Sequence, residues 1–221
     1  MTDVSGSDGH FVFTVGCTID KSREYPHGRY SPKKLLGSGT YGVVIECQDE
    51  KHNRARAAIK LVRRGSTLYR EAALKEIRIL RDLGGHCNTP QLLRDFEHDG
   101  HICMVFDLLG EDLLAIIERG SRKFSIDDIR DIAQQLLEAI DYIHAKGIIH
   151  TDCKTENVLL DPRRSEGGAM RVRLIDLGSA IYAAQQPPLV IGSRQYRSPE
   201  ALLVAGFSYP TDVWSIGCIL A

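Results

Sequence analysis

A glycine-rich stretch between two strand-like runs constrains the fold of this chain more than any other feature. It is Gly37-Ser-Gly39-Thr-Tyr-Gly42-Val-Val44, and it separates the β-type runs Lys33–Leu36 and Val43–Cys47. In dinucleotide-binding α/β folds the glycines open a helix, so their placement between strands argues against such a fold. Glycine has no Cβ, and the backbone N–H groups of a strand–loop–strand segment can therefore close over phosphates. A tight hairpin without a ligand is the alternative, because this motif alone is a weak signal.

Length and composition bound the classes of protein to which the chain can belong. Its 221 residues, 43% of them hydrophobic, suffice for one substantial core or two small lobes. A formal net charge of −1 predicts neither nucleic-acid nor membrane binding. No apolar run is long enough for a membrane span, and the start lacks the features of a secretory signal. The six scattered cysteines include no CxxC pair and no full set of metal ligands, which indicates reduced thiols in a nuclear or cytosolic protein.

The first part of the chain has the pattern of a mostly antiparallel sheet with one helix. The helix is predicted over Leu68–Leu83 from apolar residues at three-residue steps, namely Leu74, Ile77 and Leu80. A short strand is predicted over residues 10–15, after a polar tail at residues 1–9. The further strands are Lys33–Leu36, Val43–Cys47, Ala57–Val62, Leu92–Glu97 and Ile102–Asp107.

The second part of the chain is mainly helical. A short helix is predicted over Glu111–Glu118 and a long one over Ser125–Ala145, with Ser125 and Asp128 in a capping arrangement at its start. The apolar stripe of the long helix consists of Ile129, Ile132, Leu136, Leu137, Ile140 and Ile143. The remaining elements are two short strands, Val158–Leu160 and Arg171–Ile175, which bracket a Gly-rich hairpin at Ser165–Gly168.

The change of composition at Leu108–Gly110 predicts a hinge between two lobes. We expect an N-terminal tail with an extra strand over residues 1–29, a β-rich lobe over 30–107 and a mainly helical lobe over 108–221. The last stretch, Asp212–Ala221, is apolar and has no helix stop signal. The expectation is therefore that the sequence was cut inside a buried helix and that the second lobe is incomplete.

A lysine inside an apolar strand is the first candidate catalytic group. Lys60 follows Ala57-Ala-Ile, and an ammonium in such a strand needs an anionic partner because burying an unpaired charge is costly. Glu76 is the candidate partner, because it precedes Ile77 near the apolar face of the predicted helix. Glu71 competes for this role but lies farther from that face. The plainer alternative is an edge-strand lysine that reaches solvent.

A polar loop after the long helix has the residues that phosphoryl transfer needs. It is His150-Thr-Asp152-Cys-Lys154-Thr-Glu-Asn157. Asp152 can orient a substrate hydroxyl and accept its proton, and Lys154 can neutralise the transferred phosphate. Asn157 can bind Mg²⁺ through its amide oxygen. Asp176, directly after the strand Val172–Ile175, completes an oxygen site for that ion, although an acid beside a glycine at a strand end is also a common turn.

These motifs, in this order, resemble the signature of the eukaryotic protein kinases. The further matches are Ser198-Pro-Glu200 and Asp212-Val-Trp214. The resemblance runs from about Gly9 to the last residue, and it implies an α+β, two-lobed protein kinase fold with a β-rich N-lobe and a truncated helical C-lobe.

Within the kinases, the chain most resembles the CDC-like (LAMMER) dual-specificity family. Thr151 stands where most kinases have Arg, as it does in this family and in the SR-protein kinases. The segments Glu71–Glu76 and His98–Gly110 are also similar to that family. Asp176-Leu-Gly and Arg194–Ser198 resemble the SR-protein kinases instead. Cys153 and Thr155 replace the usual Leu or Ile and Pro of the loop, and Ser198 replaces an Ala, but no catalytic group is lost. The motif that names the LAMMER family would lie beyond Ala221.

The resemblance implies ATP and Mg²⁺ as cofactors. Phe106 would be the gatekeeper beside adenine, and the backbone at Asp107 and Leu109 would bind the ring. The adenine pocket would have Val44 and Ala58 above the ring and Leu159 below it. The whole implied ATP-binding set is Leu36, Gly37, Ser38, Gly39, Thr40, Tyr41, Gly42, Val44, Ala58, Lys60, Glu76, Phe106, Asp107, Leu109 and Leu159. The implied catalytic set is Asp152, Lys154 and Asn157, and the implied metal set is Asn157 and Asp176.

The resemblance also bears on regulation. Asp212 would hold the catalytic loop through its backbone, and Glu200 would pair with an arginine of a later helix. Thr151 has no charge with which to hold a phosphate, so we expect basal activity that does not depend on a phosphate held there. An alternative is that another basic residue, Arg194 or Arg197, takes over. The activation segment, residues 179–197, offers the hydroxyls of Ser179, Tyr182, Ser193 and Tyr196.

The leading hypothesis is a monomeric protein serine/threonine kinase, with tyrosine as an open further target. The resemblance implies Ser/Arg-rich splicing factors as substrates, no direct nucleic-acid or membrane partner, and a location in the nucleus, the cytoplasm or both. Asp127, Asp128 and Asp131 are candidates for docking such substrates, although a solvated helix face is the plainer interpretation. A truncated, catalytically inert nucleotide- or protein-binding fragment is the second hypothesis. A metabolic ATPase would need a GxxxxGK[ST] loop, and the sequence has none.

Overall fold

The computed structural model describes residues 9–12, 14, 16–163, 170–186 and 188–221. The predicted tail lies outside these residues up to position 8, as does the Gly-rich hairpin predicted at Ser165–Gly168. Residues 13 and 15 of the strand predicted over 10–15 are also outside, whereas Phe11 is described and is buried.

The chain divides into two compact units. Unit 1 consists of Met1–Arg78 and Gln91–Leu108, and unit 2 consists of Ile79–Pro90 and Leu109–Ala221. One point of division lies within the predicted hinge, between Leu108 and Leu109. Residues 79–90, which the sequence groups with the first part, belong to unit 2. The assignment of functional domains to 1–29, 30–107 and 108–221 stays a prediction.

Unit 1 contains a five-stranded antiparallel sheet, as the sequence predicts. The strand order is β1-β2-β3-β5-β4, and each pair of neighbours is antiparallel. The helix α1 begins in unit 1 and continues past the division after Arg78. The elements are β1 Tyr30–Gly39, β2 Gly42–Asp49, β3 Ala55–Val62, α1 Thr67–Leu83, β4 Arg94–His98 and β5 His101–Asp107. A 3₁₀ turn, Glu50–His52, follows β2.

Alternation along β3 separates the core of unit 1 from the face that carries Lys60. Ala57, Ile59 and Leu61 belong to a buried apolar cluster. Ala58 and Lys60 are half-buried and point to the opposite face, because successive side chains of a strand alternate. The other members of the cluster are Phe11, Ile19, Tyr30, Val43, Ile45, Cys47, Cys103 and Val105. Each large member stabilises the unit by about 1.5–3 kcal/mol, so the orientation of Lys60 is fixed by its neighbours.

Two ion pairs attach residues 19–30 to the sheet of unit 1. Asp20 pairs with Arg94, and Arg29 donates from Nε and Nη2 to the two carboxylate oxygens of Asp49 at 2.8 and 2.7 Å. Burial alone would raise the pKa of Asp49, but hydrogen bonds from Arg29, His52 and the Lys51 backbone outweigh it and lower that pKa to about 2. The Asp49 carboxylate is therefore charged under ordinary conditions.

The helix α1 confirms the helix predicted from the apolar repeat, with one correction to its buried face. Ala73, Ile77 and Leu80 are buried, whereas Leu74 is 46% exposed. Three-residue steps drift by about 60° each around a helix, so Leu74 lies about 120° from Leu80 and leaves the buried face. Glu76 is buried, as its place beside Ile77 predicts.

Unit 2 is mainly helical, with two small antiparallel sheets. β6 pairs with β9, and β7 pairs with β8. The elements are α2 Leu113–Glu118, α3 Ile126–Ala145, β6 Ile148–Ile149, β7 Val158–Asp161, β8 Arg171–Leu174, β9 Ile181–Tyr182, α4 Pro199–Leu202 and α5 Pro210–Leu220. Short 3₁₀ turns lie at Thr155–Asn157 and Arg194–Tyr196. The α+β class is thus confirmed.

The long helix α3 begins at the cap predicted from the sequence. The Ser125 side chain accepts from the backbone N–H of Asp128 at 3.1 Å, and the Asp128 side chain accepts from the Ser125 backbone at 2.9 Å. Of the predicted stripe, Ile132, Leu136, Ile140 and Ile143 are buried. Leu137 is 47% exposed, because it lies about 100° around the helix from Leu136.

One side chain fastens α3 to β8 and so fixes the strand that leads to Asp176. Gln135 Oε1 accepts from the Val172 backbone at 2.9 Å and from Asn88 Nδ2 at 3.1 Å. Its Nε2 donates to the Met170 carbonyl at 2.9 Å. The start of β8 is therefore held at a defined position on the long helix.

The helix α5 carries apolar side chains of different exposure. Ile216 is buried, whereas Val213 and Trp214 are each 48% exposed.

Among the residues that the structure describes, no helix combines the length and the apolar character that crossing a membrane requires.

The end of α4 holds a β-branched residue in a left-handed conformation. Val204 has φ +54° and is 57% exposed. The N–H of Ala205 bonds to the Glu200 carbonyl at 2.9 Å and that of Val204 to the Ala201 carbonyl at 3.4 Å, which is the Schellman pattern. Glycine usually occupies this position, because a Cβ in the left-handed region costs about 1–2 kcal/mol.

We therefore expect Val204→Gly to raise the free energy of unfolding by about 1 kcal/mol, since relief of strain exceeds the added entropy of the unfolded chain. Urea denaturation followed by far-UV circular dichroism measures this. Leu203→Gly is the matched control, because Leu203 has φ −85° and gains nothing from glycine. A Val204→Gly chain no more stable than the wild type would contradict the assignment of strain.

Candidate active site

The glycine-rich hairpin of unit 1 contains one glycine that the fold itself requires. β1 and β2 pair from Tyr30 to Gly39, and Gly39 lies opposite Gly42 across the turn. Gly42 has φ +149°, and a Cβ there would overlap the Leu61 carbonyl oxygen of β3. The close approach of β3 therefore excludes every residue with a Cβ at this position.

The other two glycines of the motif have no such structural reason. A Cβ on Gly37 or Gly39 would meet no atom within 4 Å, and neither has a φ in the left-handed region. A simple tight hairpin would not need glycine at these positions. The open space beside them is what phosphates would require to approach the backbone, which favours the phosphate-binding interpretation over the bare hairpin.

The side chains around the hairpin tip are exposed. Leu36 lies at an irregularity of the β1–β2 register and is 42% exposed. Ser38 and Thr40 are also exposed. Tyr41 is 60% exposed, and its ring contacts the Tyr69 ring edge to face at 5.7 Å between centroids. The tip of the hairpin is thus accessible and is supported from one side by α1.

One face of the sheet gathers four of the residues predicted to contact ATP. Val44 pairs with Lys60, and Ala58 pairs with Phe106. Partners that lie directly opposite in antiparallel strands point to the same side, so these four share the face opposite the core. All four are half-buried. Asp107 follows Phe106 as the last residue of β5.

Lys60 forms a bidentate ion pair with Glu76. Its Nζ lies 2.8 and 2.9 Å from the two carboxylate oxygens, and the side chains are 20% and 7% exposed. The pairing predicted from the sequence is confirmed, whereas Glu71 is exposed. Breaking such a pair would leave an uncompensated charge in a partly dry site, which typically costs 3–5 kcal/mol. The contact thus ties the position of α1 to that of β3.

In unit 2, a buried carboxylate holds the loop that carries the candidate catalytic groups. Asp212 is fully buried, and its oxygens accept from the backbone N–H groups of His150 and Thr151, both at 2.8 Å. His144 Nε2 contacts the same carboxylate at 2.8 Å. The predicted contact between Asp212 and the loop backbone is confirmed.

The loop is strained at the residue that precedes Asp152. Thr151 has φ +68°, and a β-branched residue in this region is a clear outlier. Its N–H bonds to Asp212, and its Oγ1 donates to the Ser179 carbonyl at 2.9 Å. Conformations of this kind cost about 1–3 kcal/mol and persist only where the surroundings impose them, commonly at active sites.

The Asp152 carboxylate is held by a lysine and by a serine far along the chain. Lys154 Nζ donates to Oδ2 at 2.8 Å, and Ser193 donates to Oδ1 from its N–H at 3.0 Å and its Oγ at 2.9 Å. Burial alone would lower the pKa of Lys154, but the hydrogen bond and the charge of Asp152 outweigh it and raise that pKa. Lys154 therefore carries its charge next to Asp152.

Cys153, between these two residues, is not a nucleophile. It is buried, and burial together with the charges of Asp212 and Asp152 raises its pKa well above the usual thiol value. The thiol is thus protonated and serves as a small apolar side chain.

Asn157 and Asp176 are brought together by backbone contacts. Asn157 Nδ2 donates to the Asp152 carbonyl at 2.8 Å, and this contact does not use its amide oxygen. The Ile175 N–H donates to the Asn157 carbonyl at 2.8 Å, so Asp176 follows next to Asn157. Asp176 is exposed, has φ +65°, and accepts from the Gly178 N–H at 3.1 Å.

The oxygens of Asn157 and Asp176 suit a magnesium ion whose remaining ligands are waters and phosphates. The described residues contain no cluster of three or more His, Cys, Asp or Glu side chains able to hold a metal. Mg²⁺ commonly takes one or two protein oxygens together with waters and phosphates. A carboxylate and an amide oxygen on segments that the Ile175–Asn157 backbone hydrogen bond joins can supply two such oxygens.

Segment 191–197, which sequence analysis did not connect to the catalytic loop, lies against it. Gly192 has φ +61°, and a Cβ there would lie 2.5 Å from the Thr151 carbonyl oxygen. Arg197 donates to the carbonyls of Ile191 and Gly192 at 2.6 and 2.8 Å. Arg197 is thus engaged by its own segment. Sequence analysis names Ser193 only as a hydroxyl of the activation segment, and its contact with Asp152 was missed because 41 residues separate the two and no local pattern reports such a contact.

The remaining predicted site residues of unit 2 lie along β7. Leu159 bridges to Asp112, and the Gly110 N–H donates to the Leu160 carbonyl at 2.7 Å. Leu109 therefore lies at the start of a segment that runs beside Leu159. Both residues are half-buried.

The acidic residues considered for docking are partly engaged. Asp128 belongs to the helix cap and pairs with Arg122 at 2.7 Å, and Asp127 pairs with Arg130 at 2.6 Å. This geometry favours the solvated helix face over a docking site.

Comparison with known proteins identifies the relatives of this chain. The family model described as protein kinase domain matches residues 30–221. The serine/threonine-protein kinase AFC1 of Arabidopsis thaliana is 38% identical, with 96% of this chain and 49% of the relative covered. The dual specificity protein kinase CLK1 of Homo sapiens is 37% identical, with 96% and 46% covered. The dual specificity protein kinase KNS1 of Saccharomyces cerevisiae is 36% identical, with 96% and 32% covered.

The chain therefore spans about half or less of the length of these relatives. The resemblance to CDC-like dual-specificity kinases predicted from the sequence is confirmed by these matches.

Replacement by alanine should affect the stability of the chain differently at Gly42, which β3 crowds, and at Gly37, which faces open space. Gly42→Ala should lower the free energy of unfolding by more than about 2 kcal/mol, because the new Cβ overlaps the β3 backbone. Gly37→Ala is the matched control and should change it by less than about 0.5 kcal/mol, since its Cβ meets open space. Urea denaturation measures both. Equal losses in the two variants would show that the hairpin geometry is misassigned.

Proposed function

The chain belongs to the protein kinase domain family, and on that premise we propose that it transfers the γ-phosphoryl group of ATP to hydroxyl groups of proteins. The observation that carries the proposal is the Asp152 carboxylate, held by Lys154 and Ser193 on a loop whose backbone Asp212 fixes. A carboxylate with a charged lysine beside it suits in-line transfer to a hydroxyl, where catalysis is mostly positioning and charge neutralisation.

In unit 1, the proposed roles concern ATP binding. The open hairpin around Gly37 and Gly39 would bind phosphates through its backbone, and Lys60, oriented by Glu76, would hold the α- and β-phosphates. The face with Val44, Ala58 and Phe106 offers apolar contact for adenine. Two further proposed adenine contacts are the backbone at Asp107 and Leu109, with Leu159 as an apolar neighbour.

In unit 2, the proposed roles concern transfer. Asp152 orients the attacking hydroxyl and accepts its proton, and Lys154 neutralises the charge that develops on the transferred phosphoryl group. Magnesium, bound by Asn157 and Asp176, would supply positive charge to the nucleotide phosphates. Ser193 keeps the Asp152 carboxylate in one orientation through two hydrogen bonds.

For substrates we propose serine and threonine hydroxyls, with tyrosine as a second target. The names of CLK1 and KNS1 state dual specificity, which supports the second target by analogy. Ser/Arg-rich proteins and a nuclear or cytoplasmic location rest on the family resemblance alone. A peptide array with no preference for Arg beside the phosphorylated residue would remove the Ser/Arg proposal.

Replacing Asp152 separates transfer from binding. Asp152→Asn should lower the rate of phosphotransfer from Mg-ATP to a peptide by about 10²- to 10⁴-fold, the usual range for loss of a general base. ATP affinity, measured by isothermal titration calorimetry, should stay within about twofold, since the proposed nucleotide contacts remain. Asp127→Asn removes an exposed carboxylate as the matched control. An Asp152→Asn chain with wild-type turnover would exclude this residue as the base.

Thr151 generates a prediction about regulation. It anchors the segment through a neutral hydrogen bond to the Ser179 carbonyl, so no phosphate is needed at this position. Treatment with a broad-specificity protein phosphatase should therefore change activity by less than about twofold, because no charge-assisted contact to a phosphate is lost. Mass spectrometry of residues 179–197 before and after treatment is the control. Loss of activity that parallels loss of a phosphate would contradict the prediction.

A further inference from the structure

A hydrogen bond joins the catalytic loop to the distant segment that contains Ser193. Thr155 Oγ1 lies 2.8 Å from the Tyr196 hydroxyl oxygen, 41 residues along the chain. Thr155 is 7% exposed, so water competes poorly for this contact. Thr155 Oγ1 also donates to Glu156 Oε2 at 3.1 Å. Because the threonine hydroxyl has one proton, the Tyr196 hydroxyl donates to Thr155, and the three groups form a chain of hydrogen bonds.

Tyr196 is held from its other side by α5. Its carbonyl accepts from Ser215 Oγ at 2.7 Å, and the same hydroxyl contacts the Thr211 carbonyl at 3.0 Å. The backbone of Tyr196 is thus fixed to α5, while its side chain is fixed to the catalytic loop. A residue with two such anchors has little freedom to move relative to either element.

The bond to Tyr196 is the second of two anchors with the same spacing. Asp152 bonds to Ser193, and three residues later on both segments Thr155 bonds to Tyr196. Asp152 and Thr155 thus hold the segment on the catalytic loop at two points, and the Thr155–Tyr196 bond is the one that fixes the side chain of Tyr196 there.

Two exposed residues lie between these anchors. Arg194 and Gln195 are both exposed, and they follow directly on the serine that contacts Asp152. A polypeptide that brings a hydroxyl to Asp152 must run beside this exposed stretch. The orientation of the stretch therefore affects how such a polypeptide binds.

We propose that Thr155 and Tyr196 are positioning residues for the polypeptide substrate, which act by fixing segment 193–197 on the catalytic loop. The inference rests on the proposed phosphotransfer function, because it gives that activity its protein-substrate surface. Neither side chain takes part in the transfer itself.

A double-mutant cycle tests the pair in the 221-residue chain. The variants are Thr155→Val, which keeps the shape of the side chain and removes the hydroxyl, Tyr196→Phe, and the double variant. Thr155→Ser is the rescue control, because serine restores the hydroxyl. The kinetic probe is a peptide of alternating Arg and Ser residues, with KM for the peptide, KM for ATP and kcat measured separately.

Each single variant should raise KM for the peptide about three- to tenfold, the effect of one hydrogen bond, with KM for ATP unchanged within about twofold. The double variant should be no worse than Thr155→Val, since both changes break the Thr155–Tyr196 contact and Thr155→Val also removes the bond to Glu156. Thr155→Ser should behave like the wild type. Additive effects, or an unchanged peptide KM with only a lower unfolding midpoint, would overturn the proposal.

Hydrogen exchange tests the same pair without turnover. Backbone amides of residues 194–197 should exchange about three- to tenfold faster in Thr155→Val and Tyr196→Phe than in the wild type, while amides of β2 stay unchanged. Unchanged exchange at 194–197 would overturn the proposal. If the wild-type chain shows no phosphotransfer while the two variants still exchange faster at residues 194–197, the proposed function is rejected and the anchoring of the segment stands.

Discussion

A single buried carboxylate sets the geometry on which the candidate site of unit 2 depends. Asp212 is removed from water, and it is compensated by two backbone N–H groups and a histidine ring. The hydrogen bonds to Asp212 help to offset the strain at Thr151, whose left-handed backbone turns the chain so that Asp152 follows in a fixed position. Without this carboxylate, the loop from residue 150 to 157 would lose the contact that defines its path.

The same principle operates independently in unit 1. Lys60 lies on a sheet face with little water, and Glu76 of α1 compensates its charge through two contacts. In both units, then, a charged group that is removed from water meets a partner from another part of the chain. Charge compensation therefore determines which elements must come together, whereas apolar packing determines how firmly they are held.

Local patterns predicted the elements of the fold, and the family resemblance predicted the distant contact of Asp212 with the catalytic loop, but the contacts of segment 193–196 were missed. The strands, the cap at Ser125 and the Lys60–Glu76 pair follow from alternation, capping chemistry and the cost of an unpaired charge. Leu74 was misplaced because a three-residue repeat only approximates the helical period. The contacts of Ser193 and Tyr196 with the catalytic loop could not be predicted, since they join segments 41 residues apart and arise only when the fold is complete.

The most direct test of this account is the effect of Asp212→Asn on phosphotransfer and on ATP binding. An amide places a donor against two backbone donors, so the loop should shift, and the rate should fall about 100-fold or more. ATP affinity and the far-UV spectrum should stay close to those of the wild type, and Asp141→Asn, an exposed change on α3, should leave every measured value unaltered. An Asp212→Asn chain that folds and retains wild-type phosphotransfer would contradict the claim that this carboxylate sets the catalytic geometry.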